Sequence, residues 1–273
     1  MHFKMNTMYF SPTGTTKKII SGIADKILKD SGETRAIHTV DFNLAKVRKE
    51  PVSFTKEDLV VIGVPVYAGR VPNVLLDYLN SISGDGALAV AVVVYGNRNY
   101  DDALIELKDI LESRGFTVIA AGAFVGEHSF SKTLAADRPD DKDMEIVNAF
   151  AGQIFAKISS QAPIQSIQVK GNKPYRKYYV PKKENGEAVY DFRKITPKTN
   201  EDCIDCKLCA QVCPMESIDF DDVSTIKGIC IKCCACIKKC PMQAKYFDSP
   251  DYLRHKDELE IAFARRSEPE LFI

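Results

Sequence analysis

Apolar and polar residues alternate along the first 160 positions in a pattern that predicts five strands separated by helices. The predicted strands are Lys4–Phe10, Arg35–Phe42, Leu59–Val64, Ala87–Tyr95 and Thr117–Val125. The predicted helices, which carry apolar residues at helical spacing, are Thr16–Lys29, Pro72–Ser81, Asp101–Arg114 and Asp141–Ser160. The segment Asn43–Lys56 has no clear pattern. Because the central strands are valine- and alanine-rich on both faces, we expect an α/β fold with an open, doubly wound parallel sheet covered by helices.

The pattern changes after residue 160. Residues 161–200 carry nine basic and three acidic side chains, with scattered proline, glycine and asparagine, and we interpret them as a basic linker or arm. Residues 201–273 carry ten basic and fourteen acidic side chains and end in a helix predicted over Leu253–Arg266. The arm either folds against this acidic module or stays solvated. We therefore expect three parts, with boundaries at 1–160, 161–200 and 201–273.

The whole chain of 273 residues has 37 basic and 37 acidic side chains, so no overall field favours nucleic acid or an anionic membrane. Its longest clean apolar run, Ala87–Tyr95, is far shorter than the roughly 20 residues that cross a bilayer. Residues 1–14 lack the organisation of a signal peptide. We expect a cytoplasmic protein without a membrane span or a nucleic-acid partner, and the oligomeric state stays open.

All nine cysteines lie between positions 203 and 240, which makes a disulfide framework for the whole chain a poor explanation. Eight of them form two copies of the spacing C-x2-C-x2-C-x3-C-P, a run typical of proteins that bind two iron-sulfur clusters. In this run the fourth cysteine of each copy binds the other cluster. The predicted ligands are Cys203, Cys206, Cys209 and Cys240 for one [4Fe-4S] cluster, and Cys230, Cys233, Cys236 and Cys213 for the other. A pair of structural zinc sites is the alternative, although zinc ribbons separate their cysteine pairs by longer spacers.

Cys234 belongs to neither ligand set. It directly follows Cys233, and we expect it to be a small buried hydrophobe rather than a ligand or a redox thiol. The sequence after each cysteine run predicts a short hairpin, so the module is an internal repeat.

A hydroxyl-rich loop, YFSPTGTTKK, connects the first predicted strand to the first helix. Backbone N–H groups and the helix dipole make such a position an anion site. The candidate phosphate-binding residues are Ser11, Thr13, Gly14, Thr15 and Thr16. The loop has neither the lysine of an ATP-binding phosphate loop nor the G-x-G-x-x-G of a nicotinamide site, so neither nucleotide is indicated. An ordinary helix cap is the alternative.

The loop resembles the T/S-x-T-G-x-T loop of flavodoxin, which binds the phosphate of FMN, and the resemblance extends over about residues 4–160. It implies the strand order 2-1-3-4-5 and an FMN at the carboxyl ends of the strands. The residues that would wrap one face of the flavin are Pro65, Val66, Tyr67, Ala68 and Gly69. Those of the loop whose aromatic covers the other face are Gly96, Asn97 and Tyr100. Both tyrosines have an alternative role as half-buried loop anchors. His128, after the fifth strand, is a candidate flavin-edge or interdomain group.

Taken together, the two halves resemble the flavodoxin-ferredoxin fusion proteins of anaerobic bacteria and archaea. The resemblance implies FMN in the first part and two [4Fe-4S] clusters in the last. We expect electron transfer between the clusters and FMN, in a carrier for external redox proteins such as a ferredoxin-type donor or acceptor. Two alternatives stay open: an FMN-dependent reductase of a small acceptor, and a flavin-free scaffold that carries a ferredoxin. No catalytic residue is assigned, and whether the protein is an enzyme stays open.

Overall fold

The computed structural model describes residues 3–34, 36–160, 162–183 and 185–273. Arg35, with which the second predicted strand begins, lies outside the described residues. So do Gln161 and Glu184 of the predicted arm.

A parallel sheet forms the centre of the first half. Its strands are β1 (Lys4–Tyr9), β2 (His38–Asp41), β3 (Asp58–Pro65), β4 (Leu88–Tyr95) and β5 (Thr117–Val125). They lie in the order β2-β1-β3-β4-β5, and every pair among them is parallel. The predicted doubly wound sheet and its strand order are confirmed. In this order the loops after β1, β3 and β4 end at the same edge of the sheet, where ligands bind in folds of this kind.

Helices cover both faces of this sheet. They are α1 (Thr15–Ser31), α2 (Leu76–Leu79), α3 (Ala103–Ser113) and α4 (Asp141–Ser159). Apolar side chains of α1 and α4 pack on one face, and those of α2 and α3 pack on the other. The helix predicted over Pro72–Ser81 is shorter than expected, because a 3-10 turn at Asn73–Leu75 leads into a single turn of α-helix. The segment 43–56 contains a 3-10 turn at Val47–Lys49.

The arm after α4 runs across the first half of the molecule. The backbone N–H of Ile167 donates to the carbonyl of Val118 in β5 at 3.0 Å. Further along, the N–H groups of Asn172 and Arg176 donate to the carboxylate of Asp102 at 3.0 and 2.7 Å. This part of the arm is therefore bound to the first half of the molecule, through the carbonyl of Val118 and the carboxylate of Asp102.

The last third contains short elements around the two cysteine runs. They are β6 (Lys198–Thr199), α5 (Leu208–Gln211), α6 (Ala235–Lys238), β7 (Lys245–Tyr246), α7 (Pro250–Ala262) and β8 (Glu270–Phe272). An antiparallel bridge between Ile218 and Ile226 closes a hairpin after the first run, and β7 pairs with β6. The C-terminal helix begins three residues earlier than predicted, because Pro250 occupies its first turn, where proline is well suited.

The strand β8 is an addition that the sequence pattern does not predict. It pairs antiparallel with β5, with Ala121 opposite Phe272 and Ala123 opposite Glu270, and becomes the sixth strand of the sheet. Within the described part of the chain, no helix is long and apolar enough to span a bilayer.

Candidate functional site

The loop after β1 divides its hydroxyl groups between a cavity and the helix that follows. Thr13, Gly14 and Thr15 line a cavity of about 450 Å³, here called the loop cavity. The Ser11 hydroxyl instead accepts a hydrogen bond from the backbone N–H of Lys17 at 2.9 Å, within the first turn of α1. Thr16 is buried. Gly14 has a φ of 96°, a left-handed conformation that glycine adopts without strain, and it turns the chain into α1.

A larger cavity of about 590 Å³, here called the central cavity, lies where all three parts of the chain meet. Six of the predicted residues line it: Val66, Tyr67, Ala68, Gly69, Gly96 and His128. The arm contributes Tyr179 and Phe192, and the cysteine module contributes Cys230, Lys232 and His255.

A tight turn after β3 forms one wall of the central cavity. Tyr67 and Arg70 exchange two backbone hydrogen bonds of 3.0 and 3.1 Å. Between them, Ala68 and Gly69 have φ values of 53° and 79°. The Ala68 carbonyl accepts a hydrogen bond from the N–H of Tyr179 at 2.9 Å, so the arm holds the turn from outside.

Tyr67 connects this wall to the cysteine module. Burial raises the pKa of its hydroxyl well above the usual value, and the nearby thiols of Cys233, Cys234 and Cys230 raise it further. The phenol therefore stays neutral and lies near the second run of cysteines.

His128 forms another wall. Its Nδ1 accepts a hydrogen bond from the N–H of Phe130 at 3.1 Å, which leaves the proton of the neutral ring on Nε2. A Cβ atom on Gly96 would lie 2.4 Å from the ring, so only glycine permits this packing. Burial, followed by the charges of His255, Lys238 and Arg98, lowers the pKa of His128 to about 4.

Three predicted flavin-loop residues lie apart from the cavity lining. Pro65 ends β3. The side-chain amide of Asn97 donates to two backbone carbonyls just beyond α7, at 2.6 and 2.9 Å. Tyr100 is buried beside Tyr95, with 5.8 Å between ring centroids, and its hydroxyl donates to the Glu270 carboxylate. Asn97 and Tyr100 therefore hold the C-terminal segment.

The lining residues that the sequence pattern misses come from the arm and from α7. Tyr178, Tyr179 and Phe192 line the central cavity together with His255, whose ring stacks on that of Tyr179 at 5.7 Å. For the arm residues, the sequence signal that could have found them is the aromatic content of the arm, because aromatic residues are rare in solvated basic linkers. His255 carried no such signal, since its helix has a weakly amphipathic sequence.

The cysteines separate into two groups around two small cavities. Cys203, Cys206, Cys209 and Cys240 line one, here called the first thiol site. Cys213, Cys230, Cys233 and Cys236 line the other, the second thiol site, together with Cys234. Each group takes one member from the other run, as the crossed ligand pattern predicts. Cys213 lies close enough to the second cysteine run to affect its thiols. It adds to the effect of burial in raising the pKa of Cys233 and Cys236.

Each thiol site places four of the predicted ligand cysteines around one cavity. Among the described residues, no three cysteine, histidine or acidic side chains converge closely enough to bind one metal ion directly. A cubane of iron and sulfide would lie between four such thiols.

Cys234 is buried and has partners of its own. Its sulfur lies 3.6 Å from the Tyr252 hydroxyl and 3.5 Å from the carbonyl of Lys232. Burial raises the pKa of its thiol to about 12. These contacts fit the predicted buried, unreactive residue.

The second thiol site and the central cavity share a wall. Ile229, Cys230, Ile231 and Lys232 line both. A single short stretch of chain therefore separates the cysteine group from the loops that resemble a flavin site.

Two known families match different parts of this chain. Residues 7–113 match the family described as "Flavodoxin domain", and residues 165–257 match the "4Fe-4S dicluster domain" family. A search of curated proteins found no match.

Similar solved structures include flavodoxins and one flavin enzyme. A flavodoxin from the domain Archaea has 18% identity and a TM-score of 0.42, with 58% of this chain and 100% of that chain covered. The flavodoxin of Streptococcus pneumonia TIGR4 has 20% identity and a TM-score of 0.39, with 56% and 98% covered. The apo form of the NADH:FMN oxidoreductase EMOB has 17% identity and a TM-score of 0.41, with 60% and 95% covered.

The fold and the two matched domains define a class of proteins that take part in electron transfer. Within that class, the chain is a flavodoxin–ferredoxin two-domain protein. A dicluster domain suggests two [4Fe-4S] clusters, and a flavodoxin domain suggests FMN.

Proposed function

We propose that this protein is an electron carrier in which two [4Fe-4S] clusters and one FMN exchange electrons within a single chain. The observation that carries the proposal is the wall of residues 229–232, which borders both the second thiol site and the central cavity. When bound, the clusters supply one-electron chemistry and the flavin accepts either one or two electrons. Holding them in one chain replaces an encounter between two proteins by a fixed effective concentration.

The flavin would be held at two places. Thr13, Gly14 and Thr15 line the loop cavity, where the N-terminus of α1 favours an anion such as phosphate. The ring system would occupy the central cavity, next to Tyr67 and His128. The neutral His128 ring offers an N–H donor there without adding a charge. In this assignment residues 1–160 bind the flavin, 161–200 form the arm and 201–273 bind the clusters.

The first thiol site would be the contact point for an external redox protein. Cys206 is exposed, and Ile204 and Met242 beside it are 62% and 43% exposed. This side of the molecule suits a ferredoxin-type donor or acceptor, because apolar contact and proximity to the cluster come together there. We also place the protein in the cytoplasm, since nine cysteines crowded between positions 203 and 240 are typical of a metal site in a reducing compartment.

An anaerobic reductive titration tests the proposal, with flavin absorbance and the EPR signals of the clusters counted per chain. We expect flavin and two clusters to be reduced in the same preparation. After rapid reduction of the clusters, the rate of flavin bleaching should not depend on protein concentration, because the transfer is intramolecular. A rate proportional to concentration contradicts the proposal, and clusters without flavin even after addition of FMN favour the scaffold.

The width and the rim of the central cavity favour a second candidate, a reductase of a small acceptor. Tyr179 and Val180 line the cavity and are 41% and 44% exposed, so an acceptor would find an apolar, open entrance. Turnover with a panel of quinones, nitro compounds and disulfides separates the two candidates. Saturable turnover that disappears in Tyr179→Ala, with cofactor content unchanged, supports a reductase.

A further inference from the structure

We propose that Lys238, from the cluster-binding part of the chain, supplies a cation to the FMN phosphate in the loop cavity. The inference rests on the proposed function, since it concerns the same flavin. It assigns to the iron-sulfur half a direct part in binding the flavin.

Lys238 reaches the loop cavity from α6. It lines this cavity together with Thr13, Gly14 and Thr15, and it is the one described lining residue from beyond position 200. Its side chain is 17% exposed. The ammonium group donates to the carboxylate of Glu127 and to the carbonyl of Ser131. The cation is therefore already ordered at the cavity, and little side-chain entropy remains to be lost when a phosphate binds.

Two other cations line the loop cavity, and each has partners of its own. Arg138 is buried, and its guanidinium pairs with the Asp143 carboxylate at 2.5 and 2.9 Å and with the Ser267 carbonyl at 2.7 Å. Lys18, on an exposed position of α1, donates to the carbonyl of Pro139 at 2.7 Å.

Two carboxylates at the loop cavity oppose the binding of a phosphate, and Lys238 compensates for them. Glu127 and Asp137 both line the loop cavity, so a phosphate enters next to two carboxylates. Lys238 offsets Glu127 and, as a charge-assisted donor, is suited to the phosphate as well. The loop has no lysine of its own in the position that ATP-binding loops use, and a residue more than 200 positions away fills that role.

The location of Lys238 links the two kinds of cofactor. It lies two residues after Cys236 of the second thiol site and two residues before Cys240 of the first. Both clusters therefore fix the short helix that carries it, and binding energy at the phosphate is coupled to cluster assembly by ordinary linkage.

Calorimetric titration of the cluster-loaded protein with FMN and with riboflavin tests the inference, since only FMN carries the phosphate. Lys238→Met keeps the aliphatic stem and removes the charge. We expect it to weaken FMN binding about tenfold, the loss typical of one charge-assisted hydrogen bond, and to leave riboflavin affinity unchanged. Lys239→Met is the matched control, because Lys239 is the exposed neighbour of the same charge, and it should change neither affinity.

Glu127→Gln should have the opposite effect on the affinity for FMN. It removes a carboxylate next to the phosphate and frees Lys238, so FMN binding should become tighter. If the Lys238–Glu127 pair served only to join the two halves, both variants would weaken FMN and riboflavin alike, and the inference would be overturned. A wild-type protein that binds the two flavins equally well also overturns it but leaves the proposed function intact. A protein that binds neither flavin overturns both.

Discussion

His128 shows how a single residue is tuned by several parts of the chain. Burial is the main cause of its lowered pKa, and the positive charges of Lys238 and Arg98 act in the same direction. His255, on α7, has a lowered pKa as well, again chiefly through burial. Glu260 is the group that opposes the shift for His128. The cavity therefore keeps two neutral imidazoles close together at neutral pH.

This tuning predicts a pH dependence of stability. The unfolded chain protonates His128 near pH 6.5, whereas the folded protein does so near pH 4. Below about pH 6.5 the unfolded state thus binds more protons, and the folded state loses stability as the pH falls towards 4. At about pH 5.5 we expect a loss of about 1 kcal/mol compared with neutral pH. His128→Asn keeps an acceptor for the Phe130 N–H and does not titrate.

The measurement is the thermal midpoint of both proteins at neutral pH and at about pH 5.5. The wild-type midpoint should fall by about 3 °C more than that of His128→Asn. His255 remains in both proteins and contributes an equal background. Equal falls would show that the His128 ring is protonated as readily in the folded state as in the unfolded one.

A second prediction at the residue scale concerns the effect of replacing Gly69 on stability. Its φ of 79° disfavours other residues, and an added Cβ atom would lie 2.4 Å from the Asp101 carboxylate. Gly69→Ala should therefore destabilise the protein by about 2 kcal/mol and weaken FMN binding, because the turn next to Tyr67 must move. Gly86→Ala is the control: its φ is similar at 83°, but the added atom meets its nearest neighbour at 3.6 Å. Thermal midpoints and FMN titrations of both variants check this, and equal effects would show that the clash is relieved elsewhere.

Among the elements, those with strong local patterns could be predicted and those made by distant contacts could not. The Val- and Ala-rich strand β4 was recognisable because its composition alone implies burial on both faces. The strand β8 has three residues, and its existence depends on the free edge of β5, far away in sequence. The apolar spacing also suggests three helical turns where the structure has a 3-10 turn followed by the single turn α2.

The strand β8 predicts the effect of a truncation. Removing residues 268–273 leaves residues 121–123 of the β5 edge unpaired and takes acceptors from the hydroxyls of Tyr95 and Tyr100. We expect a lower thermal midpoint and self-association in size-exclusion chromatography, because an open edge of Ala and Phe residues templates further strands. Removing Ile273 alone, which lies beyond β8, is the control. A truncated protein that stays monomeric at the wild-type midpoint would show that β8 has no stabilising role.

For the molecule as a whole, the grouping of eight cysteines around two cavities could be predicted, and the shape of the central cavity only in part. Eight cysteines form a repeat whose spacing specifies its own crossed pattern, so local sequence was sufficient. Tyr100 matched its expected loop position, yet Glu270 binds its hydroxyl from 170 residues away. Lys238 and His255 enter the cavities through domain packing, which no local pattern encodes.

The positions of the two thiol sites predict different roles for the two clusters in electron transfer. The first thiol site is the exposed one, and the second borders the central cavity. Cys206→Ala should lower the iron content by about half, because one of two four-iron clusters is lost. It should also slow flavin reduction by an external reduced ferredoxin, with FMN affinity unchanged. Iron analysis and stopped-flow absorbance check both effects, with Cys234→Ala as the control that keeps wild-type values. Flavin reduction at the wild-type rate in Cys206→Ala would show that electrons enter by another route.

The pairing of β8 with β5 also sets an order of events during synthesis. β5 ends at Val125 and β8 begins at Glu270, so the ribosome adds the arm and both cysteine runs before the sheet can receive its sixth strand. At typical rates of about 5–20 residues per second, that interval lasts on the order of 10 seconds. During this time residues 121–123 at the edge of the nascent sheet have no partner strand. The sheet is thus completed only after every predicted cluster ligand has been synthesised.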